Sequence, residues 1–252
     1  MTAVAAAASI DDVNTCTQIV DVETTGVEDD ARVVEIGAIF LRELADGSLW
    51  IERAQSHLVD PGMPIPATAS AVHHITDDMV RGKSSLATTI FDGGYRWGDY
   101  HVAHNAAFDR RFLGADSGLP EQVALDNPWI CTYKCAYVQW PDAPSYGNQA
   151  LSYWLSTQRP PDDCGHAHRA LYDCHTTMGI LIALRAHGWT WQRMAEVTAE
   201  PLILRSFSFG KHAGVPISDV PFSYLQWMGR QSDWDSDVAA TLAHELDRRQ
   251  RR

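Results

Sequence analysis

Three runs of apolar residues in the first sixty positions have the length and pattern of β-strands. Residues 18–22 form a short apolar run that ends in acids, residues 32–40 are rich in Val and Ile, and residues 50–59 alternate loosely between apolar and polar side chains. Runs of about four to eight such residues are typical of strands. The pattern therefore predicts three neighbouring strands, most simply arranged as an antiparallel meander.

The pattern changes after three prolines at positions 61, 64 and 66, where helices and strands begin to alternate. Helix-start residues and apolar spacing predict helices over residues 67–74, 76–80, 106–113, 133–140, 148–155, 168–187 and 191–198. Further strands are predicted over residues 100–104 and 129–131. This order of elements indicates the α/β class, with a mixed sheet flanked by helices.

A domain boundary is predicted at Pro201, where the character of the chain changes. Residues 1–16 are expected to be a frayed, Ala-rich extension, residues 17–200 a single domain, and residues 201–252 a small C-terminal accessory module. The module has a predicted helix over residues 235–249 and a cluster of aromatic residues, interpreted either as a small core or as a base-stacking platform. The aromatic residues are Phe207, Phe209, Tyr224 and Trp227.

Composition excludes several classes of protein. The 252 residues include 20 basic and 32 acidic side chains, which gives a formal net charge of −12 and excludes a strongly cationic nucleic-acid coat protein. No basic segment precedes the Ala-rich start, and no apolar run approaches the roughly 20 residues that span a bilayer, so neither a signal peptide nor a membrane segment is predicted. Five cysteines without regular spacing predict free thiols in a cytoplasmic protein.

The first candidate site lies at the end of the first predicted strand. Asp21 and Glu23 are two positions apart, so both side chains point to the same face of that strand. Two neighbouring acids repel each other and raise one another's pKa unless a cation lies between them, which favours a site for a hard metal ion. Two solvated acids at a strand end would give the same pattern, and the pair alone does not decide between these interpretations.

A second motif, His-Asn-Ala-Ala-Phe-Asp at residues 104–109, leads from a predicted strand into a helix. Asp109 would lie in the first turn of that helix, where it could meet the first pair of acids across the sheet. Alternatively, Asn105 caps the helix and Asp109 only complements the helix dipole. The two interpretations are compatible.

The third motif places His168 five residues before Asp173, near the start of the longest predicted helix. On a continuous helix these side chains would be about 140° apart. They converge on one site only if His168 lies in the loop before the helix and Asp173 lies within it. A loop position suits a residue that approaches a water molecule, and a helical position suits a fixed metal ligand.

Taken in this order, the three motifs resemble those of the DnaQ-like 3′→5′ exonucleases, the His-containing branch of the DEDD superfamily. Val-Glu-Ile-Gly at residues 34–37 and Val-His-His-Ile-Thr at residues 72–76 extend the resemblance, which covers roughly residues 17–188. The segment Phe-Ser-Phe-Gly-Lys-His at residues 207–212 is similar to the C-terminal element of the exonuclease X branch. The resemblance implies a ribonuclease-H-like fold.

It also implies a catalytic site and its cofactors. The residues implied as catalytic are Asp21, Glu23, Asp109, His168 and Asp173. The four carboxylates would hold two divalent metal ions, Mg²⁺ or Mn²⁺, and His168 would take a proton from the attacking water. The residues expected to contact substrate are Thr24, His73, Asn105, Phe108 and Lys211. For His73 and for His104, a packing or capping role is an equal alternative, and the Cys and His residues around position 166 leave a zinc site as a further alternative.

The function expected from the resemblance is a 3′→5′ exodeoxyribonuclease that releases nucleoside 5′-monophosphates in DNA repair. Its partner would be a nucleic acid with a single-stranded or frayed 3′ end, DNA being favoured over RNA. An exoribonuclease is the first alternative, because the same five residues serve both chemistries. A non-catalytic, polymerase-associated binding module is the second. Association into a homo-oligomer, or with a repair or replication protein, stays open.

Overall fold

The computed structural model describes residues 15–95 and 98–251. The chain divides into two compact units that meet in sequence between Thr198 and Ala199. The predicted extension, residues 1–16, lies outside the described residues except for Thr15 and Cys16, and Cys16 already begins the first strand. No helix among the described residues has the length and apolar composition needed to cross a membrane.

The first unit is built on a mixed sheet of five strands in the order β3-β2-β1-β4-β5. The strands are β1 (Cys16–Thr24), β2 (Val33–Glu43), β3 (Leu49–Leu58), β4 (Tyr100–Ala103) and β5 (Trp129–Cys131). The first three form the predicted antiparallel meander, and β4 and β5 extend the sheet in parallel from β1. The predictions of a meander and of an α/β fold are therefore confirmed.

Helices connect and cover these strands. They are α1 (Ala67–His73), α2 (Asp77–Val80), α3 (Leu86–Gly93), α4 (Ala106–Leu113), α5 (Thr132–Gln139), α6 (Asn148–Leu155), α7 (Ala170–Ala186) and α8 (Trp191–Ala199). Helix α3 was not predicted from the sequence. The long helix α7 begins at Ala170 and not at the predicted His168, because His168 has a positive φ of 64° that a right-handed helix does not accommodate.

Alternating side chains of the central strands supply two hydrophobic cores, one on each face of the sheet. Ile19 packs in the core that includes Leu181 of α7, whereas its neighbour Val20 packs in the core that includes Ile90 of α3 and Leu113 of α4. This period of two is the expected consequence of strand geometry. The sheet is thus buried on both faces, and α7 faces the same side as Ile19 and, by the same alternation, Asp21.

Helix α7 approaches the sheet very closely at Gly37 of β2. A Cβ atom at position 37 would lie 2.6 Å from the carbonyl carbon of Ala170 and from the backbone nitrogen of Leu171. Only glycine permits this approach without displacing the helix. The close contact fixes the first turn of α7, which is the part of the helix that carries Asp173.

The second unit has its own hydrophobic core, centred on Phe207 and Leu225. Its helices are α9 (Phe222–Met228) and α10 (Ser236–Gln250). Of the aromatic cluster, Phe207 is buried and Tyr224 is partly buried, whereas Trp227 remains 51% exposed and Phe209 37% exposed. The small-core interpretation therefore holds for Phe207 and partly for Tyr224, while the exposed rings leave an aromatic surface.

Candidate active site

Three of the predicted acidic residues form one cluster at the ends of β1 and α7. Asp21 and Glu23 lie near the C-terminal end of the strand β1, and Asp173 lies in the first turn of α7. Each contributes a carboxylate oxygen, and these oxygens lie within 4.8 Å of one another. In residues 15–95 and 98–251, this is the one group of three or more His, Cys, Asp or Glu side chains close enough to hold a metal ion. The Cys and His residues around position 166, considered above for zinc, form no such group.

Asp109 approaches the same cluster from α4. Its side chain is only 2% exposed, and its Oδ1 accepts a hydrogen bond of 3.2 Å from the backbone N–H of Val22, the residue between Asp21 and Glu23. Burial is the main cause that raises the pKa of Asp109 to about 8, and the Asp173 carboxylate raises it further. The structure therefore brings all four predicted carboxylates into one electrostatic group.

The pKa values of the carboxyl groups in this cluster are all raised, because burial and mutual repulsion outweigh the polar groups that the protein supplies. Burial, followed by the neighbouring Asp109 and Asp173 carboxylates, raises the pKa of Asp21 well above its ordinary value. Burial and the Asp173 carboxylate raise the pKa of Glu23 to about 8, and burial raises that of Asp173 to about 6. Buried like charges that lack a partner are stabilised by a hard cation, so these oxygens fit a divalent metal ion.

Asp173 is held in a fixed orientation by polar neighbours. Its Oδ2 accepts a hydrogen bond of 3.3 Å from the backbone N–H of His168, and its Oδ1 accepts one from the side-chain amide of Gln149. The amide of Asn148 donates to the Asp173 backbone carbonyl at 3.3 Å. Two consecutive residues at the start of α6 thus hold Asp173, Gln149 through the carboxylate and Asn148 through the backbone carbonyl, and neither was predicted as part of the site.

His168 lies in the loop before α7, with an exposed side chain and the left-handed backbone conformation noted above. This is the arrangement that the spacing of His168 and Asp173 required for the two residues to converge. The left-handed conformation reverses the chain, which lets the N–H of His168 reach the Asp173 carboxylate while the imidazole stays accessible to solvent.

An ion pair between Glu35 and Arg169 anchors this loop to the sheet. Glu35 accepts hydrogen bonds from Arg169 Nε at 2.8 Å and Nη2 at 2.7 Å, from the Ala170 backbone N–H at 3.1 Å and from Ser56 Oγ at 2.8 Å. Burial alone would raise the pKa of Glu35, but the bonds from Arg169, Ser56 and Ala170 outweigh it and lower the pKa. Glu35 therefore stays ionised and caps the first turn of α7 from β2.

Sequence reasoning did not assign this pair to the site. A signal was present, because Glu35 is a single charge within the apolar run of β2, and such a charge needs a partner when it is buried. Arg169, next to the predicted His168, was the cation that could have been matched with it.

The residues expected to contact substrate lie in different environments. His73 is only 2% exposed, its Nε2 is 3.2 Å from the Thr24 backbone oxygen, and its Nδ1 accepts from the Ile75 N–H at 3.0 Å. Both ring nitrogens are thus occupied by the protein, so His73 supports the backbone at Thr24 and has no free nitrogen for a substrate. Thr24 itself is buried, and its hydroxyl donates to the Gly26 carbonyl at 2.7 Å.

Asn105 and Phe108 flank Asp109 on α4. Asn105 occupies the position before the helix in the left-handed conformation, but its exposed side chain makes no capping hydrogen bond. The capping interpretation is therefore wrong for the Asn105 side chain, which is free to meet a ligand. Phe108 is partly buried and packs against Phe112 with their ring centroids 5.3 Å apart.

Lys211 is the last residue of the predicted set, and His104 is the histidine outside that set for which packing, capping and substrate contact were left as alternatives. Lys211 is exposed in the second unit. His104 is held by Thr132 Oγ1 at 2.9 Å and by the Tyr146 carbonyl at 2.7 Å, and burial lowers its pKa to about 4. His104 is therefore a packed, neutral histidine and not a residue that contacts substrate.

The family of this chain follows from a match to a known family of proteins. A family model described as an exonuclease, of the RNase T type, matches residues 19–181, which contain every acidic residue of the cluster. The chain belongs to this exonuclease family. It is a 3′→5′ exonuclease of the DnaQ-like type that the sequence motifs predicted.

Two exonuclease relatives are similar in sequence to most of this chain. Exodeoxyribonuclease 10 of Escherichia coli strain K12 is 38% identical over 237 residues, which cover 91% of this chain and 98% of that protein. DNA polymerase III subunit epsilon of Treponema pallidum is 32% identical over 173 residues, covering 66% of this chain and 75% of the relative.

A solved structure of exonuclease X in complex with 5′ overhanging duplex DNA is similar in fold and in sequence. It has 39% sequence identity and a TM-score of 0.59, and the match covers 72% of this chain and 99% of that one. A product-bound exonuclease I, at 15% identity and a TM-score of 0.53, shares the fold. The predicted ribonuclease-H-like fold and the resemblance to exonuclease X are confirmed.

Proposed function

We propose that this exonuclease is a metal-dependent 3′→5′ exodeoxyribonuclease that releases nucleoside 5′-monophosphates and acts in DNA repair. The observation that carries the proposal is the complete set of four carboxylates in one group, two of them buried and two partly buried, with a solvent-accessible histidine beside it. The assignment to DNA rests on the similarity to exodeoxyribonuclease 10 and to the DNA-bound exonuclease X.

Two divalent ions, Mg²⁺ or Mn²⁺, fit this group of oxygens. We assign one ion to Asp21, Glu23 and Asp173, whose oxygens converge, and the second to Asp21 and Asp109. Four carboxylates balance the four positive charges of two such ions, which explains how an acidic protein can present a phosphate-binding site. When bound, the ions supply an activated water and stabilise the charge that develops on the phosphate and on the leaving 3′ oxygen.

His168 acts as the general base in this proposal. Its imidazole is exposed beside Asp173, so it can accept a proton from a water molecule that approaches the scissile phosphate. The loop that carries it is anchored at Arg169, the next residue, by the ion pair with Glu35. The Asp173 carboxylate therefore has two tasks: it holds metal, and it fixes the backbone of the base.

The substrate end would lie between β1 and α4. Asn105, with a free side chain, and Phe108, with a partly exposed ring, flank this part of the cluster and are proposed to contact the terminal nucleotide. His73 keeps only an indirect role, which is to hold the Thr24 backbone next to Glu23.

An exoribonuclease is the second candidate function, because the five proposed catalytic residues would hydrolyse either phosphodiester. Distinguishing the two requires discrimination of the 2′-hydroxyl, which is the chemical difference between RNA and DNA. A binding module without catalysis is disfavoured, because binding alone does not require four mutually repelling carboxylates in one group.

Matched DNA and RNA oligonucleotides of one sequence, 5′-labelled and either single- or double-stranded, test the proposal. We expect a ladder of products shortened from the 3′ end with DNA in Mg²⁺ or Mn²⁺, release of 5′-monophosphates, and no reaction with a chelator. A faster ladder with RNA would replace the proposal by the exoribonuclease. Internal cleavage, or equal turnover in chelator, would contradict both.

A further inference from the structure

A polar cleft lies beside the metal cluster, between α6, the segment that follows it and the start of α7. Its volume is about 220 Å³, and its walls include Gln149, Tyr153, Arg159 and Tyr172. We call it the Arg159 cleft. It is too small to enclose a whole drug-sized ligand, which needs about 300 Å³ or more, so it suits one part of a larger molecule.

The cleft adjoins Asp173 through two of its walls. The side chain of Gln149 lines the cleft, and its amide also donates to the Asp173 carboxylate. Tyr172 lines the cleft and directly precedes Asp173 in α7. Gln149 therefore links the cleft to a proposed metal ligand.

The side chains of the cleft have the chemistry of a site for a nucleotide. Tyr153 presents a ring that is 65% exposed, which offers a stacking surface to a base. The Arg159 guanidinium lies 5.8 Å from the centre of that ring. Arg159 is itself exposed, and among the described residues no acidic side chain pairs with it.

We propose that the Arg159 cleft binds a nucleotide of the single strand upstream of the scissile bond, with its base against Tyr153 and its phosphate on Arg159. This inference rests on the proposed nuclease function and deepens it, because it names where the retained part of the strand is held. The arrangement also explains why Gln149 has two contacts: it would couple occupancy of the cleft to the orientation of Asp173.

A substrate series separates this role from the chemistry. The smallest substrate is the p-nitrophenyl ester of thymidine 5′-monophosphate, which has one nucleotide, and the others are thymidine oligonucleotides of two to about ten residues. Wild-type kcat/KM is expected to step upward at the length that fills the cleft. In Tyr153→Ala and Arg159→Ala this step is expected to fall by about 5- to 100-fold, the range measured for a stacked base, with turnover of the nitrophenyl ester unchanged.

Matched controls and a salt titration complete the test. Phe91→Ala removes an aromatic side chain on α3 that is 70% exposed, similar to Tyr153. Arg81→Ala removes an exposed arginine at the C-terminal end of α2. Neither change should affect the increase of kcat/KM with substrate length. Binding of a labelled oligonucleotide, followed by fluorescence anisotropy in Ca²⁺, is expected to lose about 0.7 from its log–log salt slope in Arg159→Ala.

Several results would overturn the inference. One is that Tyr153→Ala and Arg159→Ala both keep the wild-type dependence of kcat/KM on length and the wild-type salt slope. Another is that kcat/KM for the nitrophenyl ester falls as much as kcat/KM for the long oligonucleotides. If free thymidine monophosphate inhibited the cleft variants more weakly than the wild type, while the increase of kcat/KM with length stayed unchanged, the cleft would bind the released nucleotide. That result would refute an upstream site. If the wild-type protein hydrolysed none of these substrates, the proposed function would fail, while the anisotropy measurement would still decide whether the cleft binds a strand.

Discussion

The ion pair between Glu35 and Arg169 should matter more for catalysis than its distance from the reacting atoms suggests. Arg169→Met removes both side-chain bonds to Glu35 and leaves a carboxylate that is 3% exposed without its cation. Removal of one partner from a buried pair costs about 3–5 kcal/mol. Because the Arg169 side chain is 26% exposed, water recovers part of this energy, and we expect a loss of about 2–3 kcal/mol in the free energy of unfolding.

The effect on the rate follows from the position of Arg169 between His168 and Ala170. Without the pair, the loop loses its side-chain anchor to Glu35 and keeps the backbone bonds from the Ala170 N–H to Glu35 and from the His168 N–H to Asp173, so the imidazole samples more orientations. Residues that orient metal ligands typically contribute about 10- to 100-fold to activity, and we expect a loss of this size in single-turnover hydrolysis at saturating Mg²⁺. The assays are urea unfolding and single-turnover kinetics, both at a temperature where the variant is folded.

A second Arg–Glu pair on the same helix provides the control. Arg185, near the C-terminal end of α7, pairs with Glu43 of β2, and these side chains are 14% and 2% exposed. Arg185→Met should destabilise the protein by at least as much as Arg169→Met, yet leave the single-turnover rate unchanged. The reasoning is refuted if Arg169→Met hydrolyses DNA at the wild-type rate, or if both variants lose the same rate while folded.

Three further predictions concern the base, the acidic cluster and the second unit. His168→Ala should lower the single-turnover rate by about 10²- to 10⁴-fold without changing metal affinity measured by calorimetry, and an unchanged rate would place the base elsewhere. In chelator, the free energy of unfolding should fall as pH rises from about 4 to 8, because the raised pKa values of Asp109 and Glu23, both about 8, favour their protonated forms in the folded protein. Asp109→Asn should remove up to about 1.4 kcal/mol per pH unit from this slope in thermal melts across pH, whereas an unaltered slope would contradict the burial argument. A chain truncated to residues 1–200 should stay folded and hydrolyse short oligonucleotides, and Lys211→Ala should weaken binding of longer ones by an amount that shrinks as salt rises; an unfolded truncation would refute the two-part architecture.

Local patterns were sufficient to predict much of the fold. The bounds of α4 and α6 and of β5 agree with the predictions. For the two helices the flanking residues explain the agreement, since Asn105 and Gly114 flank α4 and Gly147 and Ser156 flank α6. Helix α3 was missed although its signals were present: Ser85 caps its first turn by accepting from the Thr88 N–H, and Gly94 ends it in the left-handed conformation. These are the residue types that helix ends favour.

The start of α7 could not be predicted from local sequence. The cap on its first turn is supplied by Glu35, which lies 135 positions before Ala170 in the chain, and it follows the left-handed conformation of His168. Likewise, the identity of His73 does not reveal that one of its ring nitrogens contacts the Thr24 backbone, 49 positions away. The resemblance of the three acid motifs to a nuclease family predicted which carboxylates come together, but the side chains that orient them become visible only when strands and helices are packed together.

Metal-dependent hydrolysis by Asp173 and its neighbours is the central claim, and one measurement tests it directly. Single-turnover hydrolysis of a 5′-labelled, single-stranded oligodeoxynucleotide is followed over a titration of Mg²⁺ or Mn²⁺ for the wild-type protein and for Asp173→Asn, which keeps the size of the side chain and removes its charge. The account predicts no hydrolysis without metal, a saturable ladder from the 3′ end for the wild type, and loss of nearly all hydrolysis in the folded variant. Wild-type turnover by Asp173→Asn at saturating metal would contradict it.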